Sequence, residues 1–225
     1  MNIHKFRKCI LFVLLILGLV GRTRAEGNLP YVDEKLIHFG FSLGINAMDF
    51  SVTPPEAARV SSLSPGFSVG IISDLRLNRY LNLRFTPTLH FGDRQLSFAD
   101  SLKSVTISSI PITLPVYLKY SAERKDNYRP YVLVGGGVSY DLGTNSSSDN
   151  PVLLKPLDFF VDFGVGCDIY FSFFKLSPLL KYSIGFNPML VPGSQRAGLS
   201  QANQKYSNVL TNLKSRMLTL VFNFE

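Results

Sequence analysis

The sequence predicts an all-β protein, an eight-stranded antiparallel transmembrane β-barrel of up-and-down meander topology, preceded by a cleaved signal peptide. Three observations carry this expectation. In residues 80–91, YLNLRFTPTLHF, the apolar set Leu81, Leu83, Phe85, Pro87, Leu89 and Phe91 alternates with Asn82, Arg84, Thr86, Thr88 and His90. A period of two gives a strand with one apolar and one hydrophilic face. The pattern then recurs along the chain, and its copies are joined alternately by short and long connections. Alternating segments of about ten residues, separated by turns that are short on one side and long on the other, mark a transmembrane barrel. A secreted β-sandwich accounts for the alternation but not for the asymmetry of the connections.

Residues 1–25 read as the secretory signal. A basic start, MNIHKFRK, precedes an apolar run from Cys9 to Gly21 that is too short to span a bilayer as a helix. Thr23-Arg24-Ala25 places small residues where a signal peptidase reads, so cleavage is expected after Ala25, leaving residues 26–225 as the barrel. Cys9 stands at the start of the apolar run and not after it, which argues against a lipoprotein. The segment holds five basic residues and no acid, and its removal leaves 18 Lys and Arg against 16 Asp and Glu, a net of +2. The basic character of the whole chain therefore belongs mostly to the export signal and gives no support for a nucleic-acid partner. Cys167 then stands alone, so no intramolecular disulfide is expected.

The spans follow in order. Residues 37–46 alternate Ile37, Phe39, Phe41, Leu43 and Ile45 with His38, Gly40, Ser42, Gly44 and Asn46; residues 47–65, with Pro54-Pro55, read as a loop. Residues 66–77 form the second span, and a tight turn at 77–79 leads into the third, 80–91. Residues 92–109 are longer and mixed, and their alternation suggests a hairpin that continues past the membrane. Residues 110–120 form the fourth span, 121–127 a short charged turn, and 131–142 the fifth, in which Gly135-Gly136-Gly137 suits curvature or close approach of neighbouring side chains. After a loop at 143–156 come the sixth span, 159–171, a turn at 172–174, and the seventh, 176–186. The longest loop, 187–214, precedes the last span, 216–224. Pro87, Pro111, Pro115 and Pro178 fall inside these spans, and each is expected to mark a bulge or a strand end.

With the N-terminus periplasmic, the short turns all lie on the periplasmic side, flanked by Tyr80, Tyr120, Tyr128, Tyr170, Phe171, Phe173 and Phe174 as an interfacial girdle. The hydrophilic faces point inward, carrying Asp74, Arg76, Arg84, Lys119, Asp162, Asp168 and Lys181. An eight-stranded interior is just wide enough for its own side chains, and buried charges need partners. Counting outward from the turns puts Asp74 opposite Asn82 and diagonal to Arg84, and Asp162 opposite Ser183 and diagonal to Lys181. Two interior ion pairs, Asp74–Arg84 and Asp162–Lys181, are expected. Small barrels can be lipid-modifying enzymes built on a nucleophile and base. The one conceivable set here is His90 with Asp93 and Ser97, and a lone strand histidine is more often structural. No metal-ligand spacing, phosphate loop or basic-aromatic patch is present, so no cofactor, no metal and no catalysis are expected.

Two stretches carry a resemblance. Residues 33–50, DEKLIHFGFSLGINAMDF, look like the first strand of the PorT family of small outer-membrane barrels of Bacteroidota, and residues 217–225, MLTLVFNFE, resemble that family's terminal strand. Such aromatic-ended strands are also similar to the signal read by the barrel-assembly machinery. The resemblance implies a non-enzymatic part in type IX protein secretion, with outer-membrane lipid and lipopolysaccharide, other secretion-system subunits and, during insertion, the assembly machinery as partners. A general structural or adhesive barrel of the OmpX or OmpA type is the alternative, and a lipid-modifying enzyme a further one.

Overall fold

The computed structural model describes residues 29, 32–53, 58–62, 65–98, 105–143, 152, 154–191, 210 and 212–225; residues 1–25, expected from sequence to be a signal peptide, lie outside them. After a single 3₁₀ turn at Val32–Glu34 come eleven strands: β1 Ile37–Thr53, β2 Ala58–Ser62, β3 Pro65–Arg76, β4 Leu81–Phe85, β5 Thr88–Phe98, β6 Val105–Ser109, β7 Pro111–Ser121, β8 Tyr128–Asp141, β9 Leu157–Tyr170, β10 Lys175–Gly185 and β11 Asn212–Phe224. β4 continues into β5 and β6 into β7 on the same ring positions, so the ring has eight members. Every neighbouring pair is antiparallel. β1 pairs with β3 on one side and with β11 on the other, from Phe41 opposite Phe224 to Thr53 opposite Asn212, which closes the barrel. Closure leaves no ring strand with an unpaired edge, the condition for crossing a bilayer in β structure.

The alternation seen in the sequence is an inside-out alternation in space. Phe39, Ile71 and Val165 are 70%, 63% and 58% exposed, whereas Asp162 and Lys119 are 0% and 2% exposed. The exposed apolar residues form a band around the ring, which is the surface a hydrocarbon layer covers. Beyond the band, β2, β5 and β6 continue as a three-stranded extension, the hairpin expected from residues 92–109. At this end the inward faces turn apolar. Phe50, Leu96, Ile107, Val152, Leu154, Met189, Leu190, Leu210 and Leu213 form one buried cluster, which binds the described parts of the long connections to the barrel mouth. Leu154 bridges Leu190 there.

Several boundaries differ from the sequence expectation. β1 runs to Thr53 and β11 starts at Asn212 because the two pair with each other beyond the apolar band. Asp74 sits directly opposite Arg84, and Arg76 opposite Asn82, a register two residues from the one counted out of the turn. The cause is local: Asn78 Oδ1 accepts from the backbone N–H groups of both Tyr80 and Leu81, an Asx turn that takes Asn78, Arg79 and Tyr80 out of the ladder. Asp162 does lie opposite Ser183.

The prolines divide. Pro87 interrupts the third span between β4 and β5 without shifting register, and Pro111 opens β7. Pro115, in contrast, lies within an unbroken β7 opposite Gly137. Its carbonyl accepts from Thr86 N–H, so its missing N–H also faces the interruption at Thr86–Pro87, where no ladder bond is lost. Pro178 is likewise inside β10. It pairs with Phe222 of β11, while the ladder to β9 skips Ser177 and Pro178.

Candidate functional site

The inward face of the ring is the one place in the described structure where charged side chains converge. At the short-turn end, Tyr170 Oη donates to both carboxylate oxygens of Asp33 at 2.8 Å, and Arg129 lies 3.5 Å from the same carboxylate. The Arg124 guanidinium stacks 3.7 Å over the Tyr170 ring and donates to Leu29 O, which fixes the lead-in across this end. Tyr170 and Asp33 therefore anchor a plug of chain rather than a ligand.

Above this base the charges interlock. Arg84 Nε donates to Asp74 Oδ2 at 2.8 Å, and Arg84 Nη2 also contacts Glu225, whose second oxygen takes Lys175 Nζ at 2.7 Å. Asn82 Nδ2 donates to the other oxygen of Asp74. Lys119 Nζ binds both oxygens of Asp168, at 2.7 and 3.0 Å, and lies 4.2 Å over the ring of Tyr131. Further along, Lys181 Nζ is 3.0 Å from Asp162 Oδ2 and 2.9 Å from Tyr117 Oη, and Tyr117 Oη donates to that same Asp162 oxygen. The structure thus brings together Asp74 with Arg84 and Asp162 with Lys181. It also pairs Lys119 with Asp168, which no count along neighbouring strands reaches, since β8 stands between β7 and β9. Arg76, expected to point inward, instead reaches the rim and donates to Glu34 O.

Glu225 and Lys175 lie just outside the spans read from sequence, yet both keep the inward parity, two residues past Asn223 and two before Ser177. Carrying the period of two one step further identifies them. Tyr117 and Tyr131 serve as spacers, each packed on a glycine opposite it: Tyr117 on Gly135 and Tyr131 on Gly166. Close side-chain approach is thus what the glycine run provides at Gly135.

His90 is buried, 3.3 Å from Asn46 Nδ2 and 3.2 Å from Thr113 Oγ1. Asp93 is exposed and accepts from Ser108 Oγ. Asp93 and Ser97 lie on the opposite face of β5 from His90, since their parity differs, so the three are not brought together. Chemically, most charges of the lumen neutralise one another in pairs: Asp74 and Glu225 with Arg84 and Lys175, Asp168 with Lys119, and Asp162 with Lys181. The cavities within it, about 30 Å³ beside Arg94 and about 20 Å³ beside His90, have room for a water or two.

Similar solved structures include the outer membrane enzyme PagL (TM-score 0.46, 13% identity, covering 82% of this chain and 97% of that one). The N-terminal β-barrel domain of Pseudomonas aeruginosa OprF (0.36, 17%, 81% and 96%) is another. Ail, the attachment invasion locus protein of Yersinia pestis, is a third (0.40, 11%, 83% and 96%). At such identities the likeness is one of fold alone. No curated protein matches. Residues 25–191 match the family described as outer membrane protein beta-barrel domain. With the closed eight-membered ring, its apolar band and its charged lumen, this chain belongs to the outer membrane protein β-barrel domain family and is a protein of the outer membrane.

Proposed function

We propose that this barrel is a non-enzymatic accessory of type IX protein secretion, working through its surfaces and not through a pore. One observation carries the second half of that reading: among the described residues the lumen is crossed by the Arg84–Asp74–Glu225–Lys175 and Asp162–Lys181–Tyr117 networks and capped by an apolar cluster, and the cavities beside Arg94 and His90 measure about 30 and 20 Å³. A folded 100-residue domain has a radius of gyration of about 13 Å, so no cargo passes through such an interior. The secretion role itself is supported by the resemblance of residues 33–50 and 217–225 to the first and last strands of PorT barrels. In this reading the N-terminus is periplasmic, the loops or periplasmic turns contact other secretion subunits, the band contacts lipid and lipopolysaccharide, and the barrel-assembly machinery reads the last strand.

Deletion of the gene tests the assignment. Loss of secreted proteases from the medium, restored by the wild-type chain, is the expected result. Normal secretion with altered adhesion or envelope integrity points instead to a structural or adhesive barrel of the OmpX or OmpA type, and changed lipid A to an enzyme. A pull-down from detergent-solubilised outer membrane identifies the partner.

A further inference from the structure

Between the ion pairs of the lumen and the apolar cap lies a chamber of about 30 Å³, lined among others by Arg94, Lys181, Asp158, Ser183, Ser139 and Thr113. Its charges are unevenly satisfied. Lys181 is taken by Asp162 and Tyr117. Asp158 accepts the backbone N–H of Asn187 at 3.0 Å. Arg94 is the exception. It is 3% exposed and makes a single hydrogen bond, from Nη2 to Ser215 Oγ at 3.1 Å, while its guanidinium lies 4.3 Å over the Phe50 ring. Its Nε and Nη1 have no partner, and neither has Ser183 Oγ.

The carboxylates of Asp141, Asp158 and Asp49 offset the charge of Arg94 but take none of these N–H groups, and a buried guanidinium with unmet N–H groups is costly unless something accepts from it. Nε and Nη1 carry three of its five N–H groups. A water placed there accepts a pair of hydrogen bonds at most and brings no charge. With room for a water or two, the chamber also has room for one small spherical ion. We propose that it is a binding site for one small monovalent anion of chloride size, held by the Arg94 guanidinium with Ser183 as an additional donor. The site rests on Arg94 of β5 and reaches β9 and β10 across the lumen, so the bound ion ties β5 to two strands that are not its neighbours in the ring.

Bromide is the probe. The full mature barrel is refolded into detergent in sodium bromide or in sodium methanesulfonate at equal ionic strength, and the loss of the compact band on heating before electrophoresis is followed. The expected result is a melting midpoint that rises with the logarithm of bromide concentration but not with methanesulfonate. Arg94→Gln should abolish the rise, and Ser183→Ala should shift it to higher bromide concentration. Crystals grown in bromide should show an anomalous peak at the Arg94 guanidinium. Equal midpoints in the two salts, or a water bridging Arg94 to Asp158 where the bromide peak should be, overturns the proposal. Should Arg94→Gln fail to fold, the wild-type salt comparison and the anomalous map decide.

Discussion

At Asp162 three side chains meet on one carboxylate oxygen, with Lys181 and Tyr117 both upon it and upon each other. Removing one member of a buried pair strands the other charge, at a cost of about 3–5 kcal/mol, whereas removing both is often near neutral. Asp162→Leu alone should therefore sharply lower the melting temperature of the folded band on unboiled gels, and Asp162→Leu with Lys181→Met should recover much of the loss. Tyr117 makes the recovery incomplete, because its hydroxyl is then buried without a partner at about 1–3 kcal/mol. Adding Tyr117→Phe should bring stability closest to wild type. A double variant as unstable as the two singles summed would show that the residues are not energetically coupled. Glu225 supplies a contrast within the same molecule. It is the acceptor for Lys175 and a second acceptor for Arg84, with its side chain 2% exposed, whereas Glu123 meets Arg79 with both side chains about two-thirds exposed or more. Glu225→Ala should cost about 3–5 kcal/mol, and Glu123→Ala should leave the gel melting curve unchanged.

At the scale of the strand, period-two alternation was enough to assign an inward face to Asp74, Arg84, Lys119, Asp162, Asp168 and Lys181, because side-chain direction in a strand repeats every two residues whatever the neighbours are. It could not supply register, which at β3–β4 depends on the Asn78 side chain capping the turn, nor the fate of Pro115, whose missing N–H faces a break in another strand. It also could not distinguish among glycines of the same parity. An added Cβ at Gly166 would collide with the Tyr131 ring and lie 2.7 Å from Pro178 O, and one at Gly135 would collide with Val116 O and lie 2.7 Å from Tyr117 Cα. At Gly164 the nearest atom is the tip of Leu179, 2.8 Å away, with Leu180 O next at 3.3 Å. A side-chain tip can rotate, whereas ladder backbone cannot. Gly164→Ala should thus yield a near-normal fraction of heat-modifiable folded protein, and Gly166→Ala and Gly135→Ala a much smaller one. Equal yields from all three would mean that the tyrosines do not seat on the glycines.

For the whole molecule, the interior has two chemistries stacked along the axis. Within the apolar band the lumen is ionic and hydroxylated; beyond it Phe50, Leu96 and Ile107, on the same inward faces of β1, β5 and β6, join residues from the long connections in an apolar cap. The pairing of inward parity with apolar residues beyond residue 48 is the trace of that cap in the sequence, but the connection residues that complete it, Val152, Leu154, Met189, Leu190 and Leu210, belong to no alternating segment and could be placed only in three dimensions. Sidedness follows from the same asymmetry. The capped end carries the long connections, so a tag at Asn145, which lies outside the described residues, should be accessible on intact cells, and one at Lys125 in the short turn only after permeabilisation. The reverse pattern would invert the proposed topology.

The two stacked chemistries also determine what the barrel conducts. An ion entering from the capped end meets first a dry cluster with Leu96 and Leu213 at 0% exposure, and then the paired charges of Asp162, Lys181, Asp168 and Lys119. From the other end it meets Asp33, Tyr170 and Arg129 closing the base. Passage would require breaking buried pairs at several kcal/mol each. Purified protein in a planar bilayer should accordingly show no stable porin-like conductance. The cap and the ion network can be tested separately: replacing Leu96 and Ile107 together by Ser should wet the mouth without opening a path, whereas replacing Asp162, Lys181 and Tyr117 by Ala should widen the lumen at its middle and still leave Lys119–Asp168 and Arg84–Glu225 in place. Only the two sets combined should admit brief, small openings. Reproducible large conductance from the wild-type chain would mean that the lumen in the bilayer is not filled as described, and the case for an indirect role in secretion would fall with it.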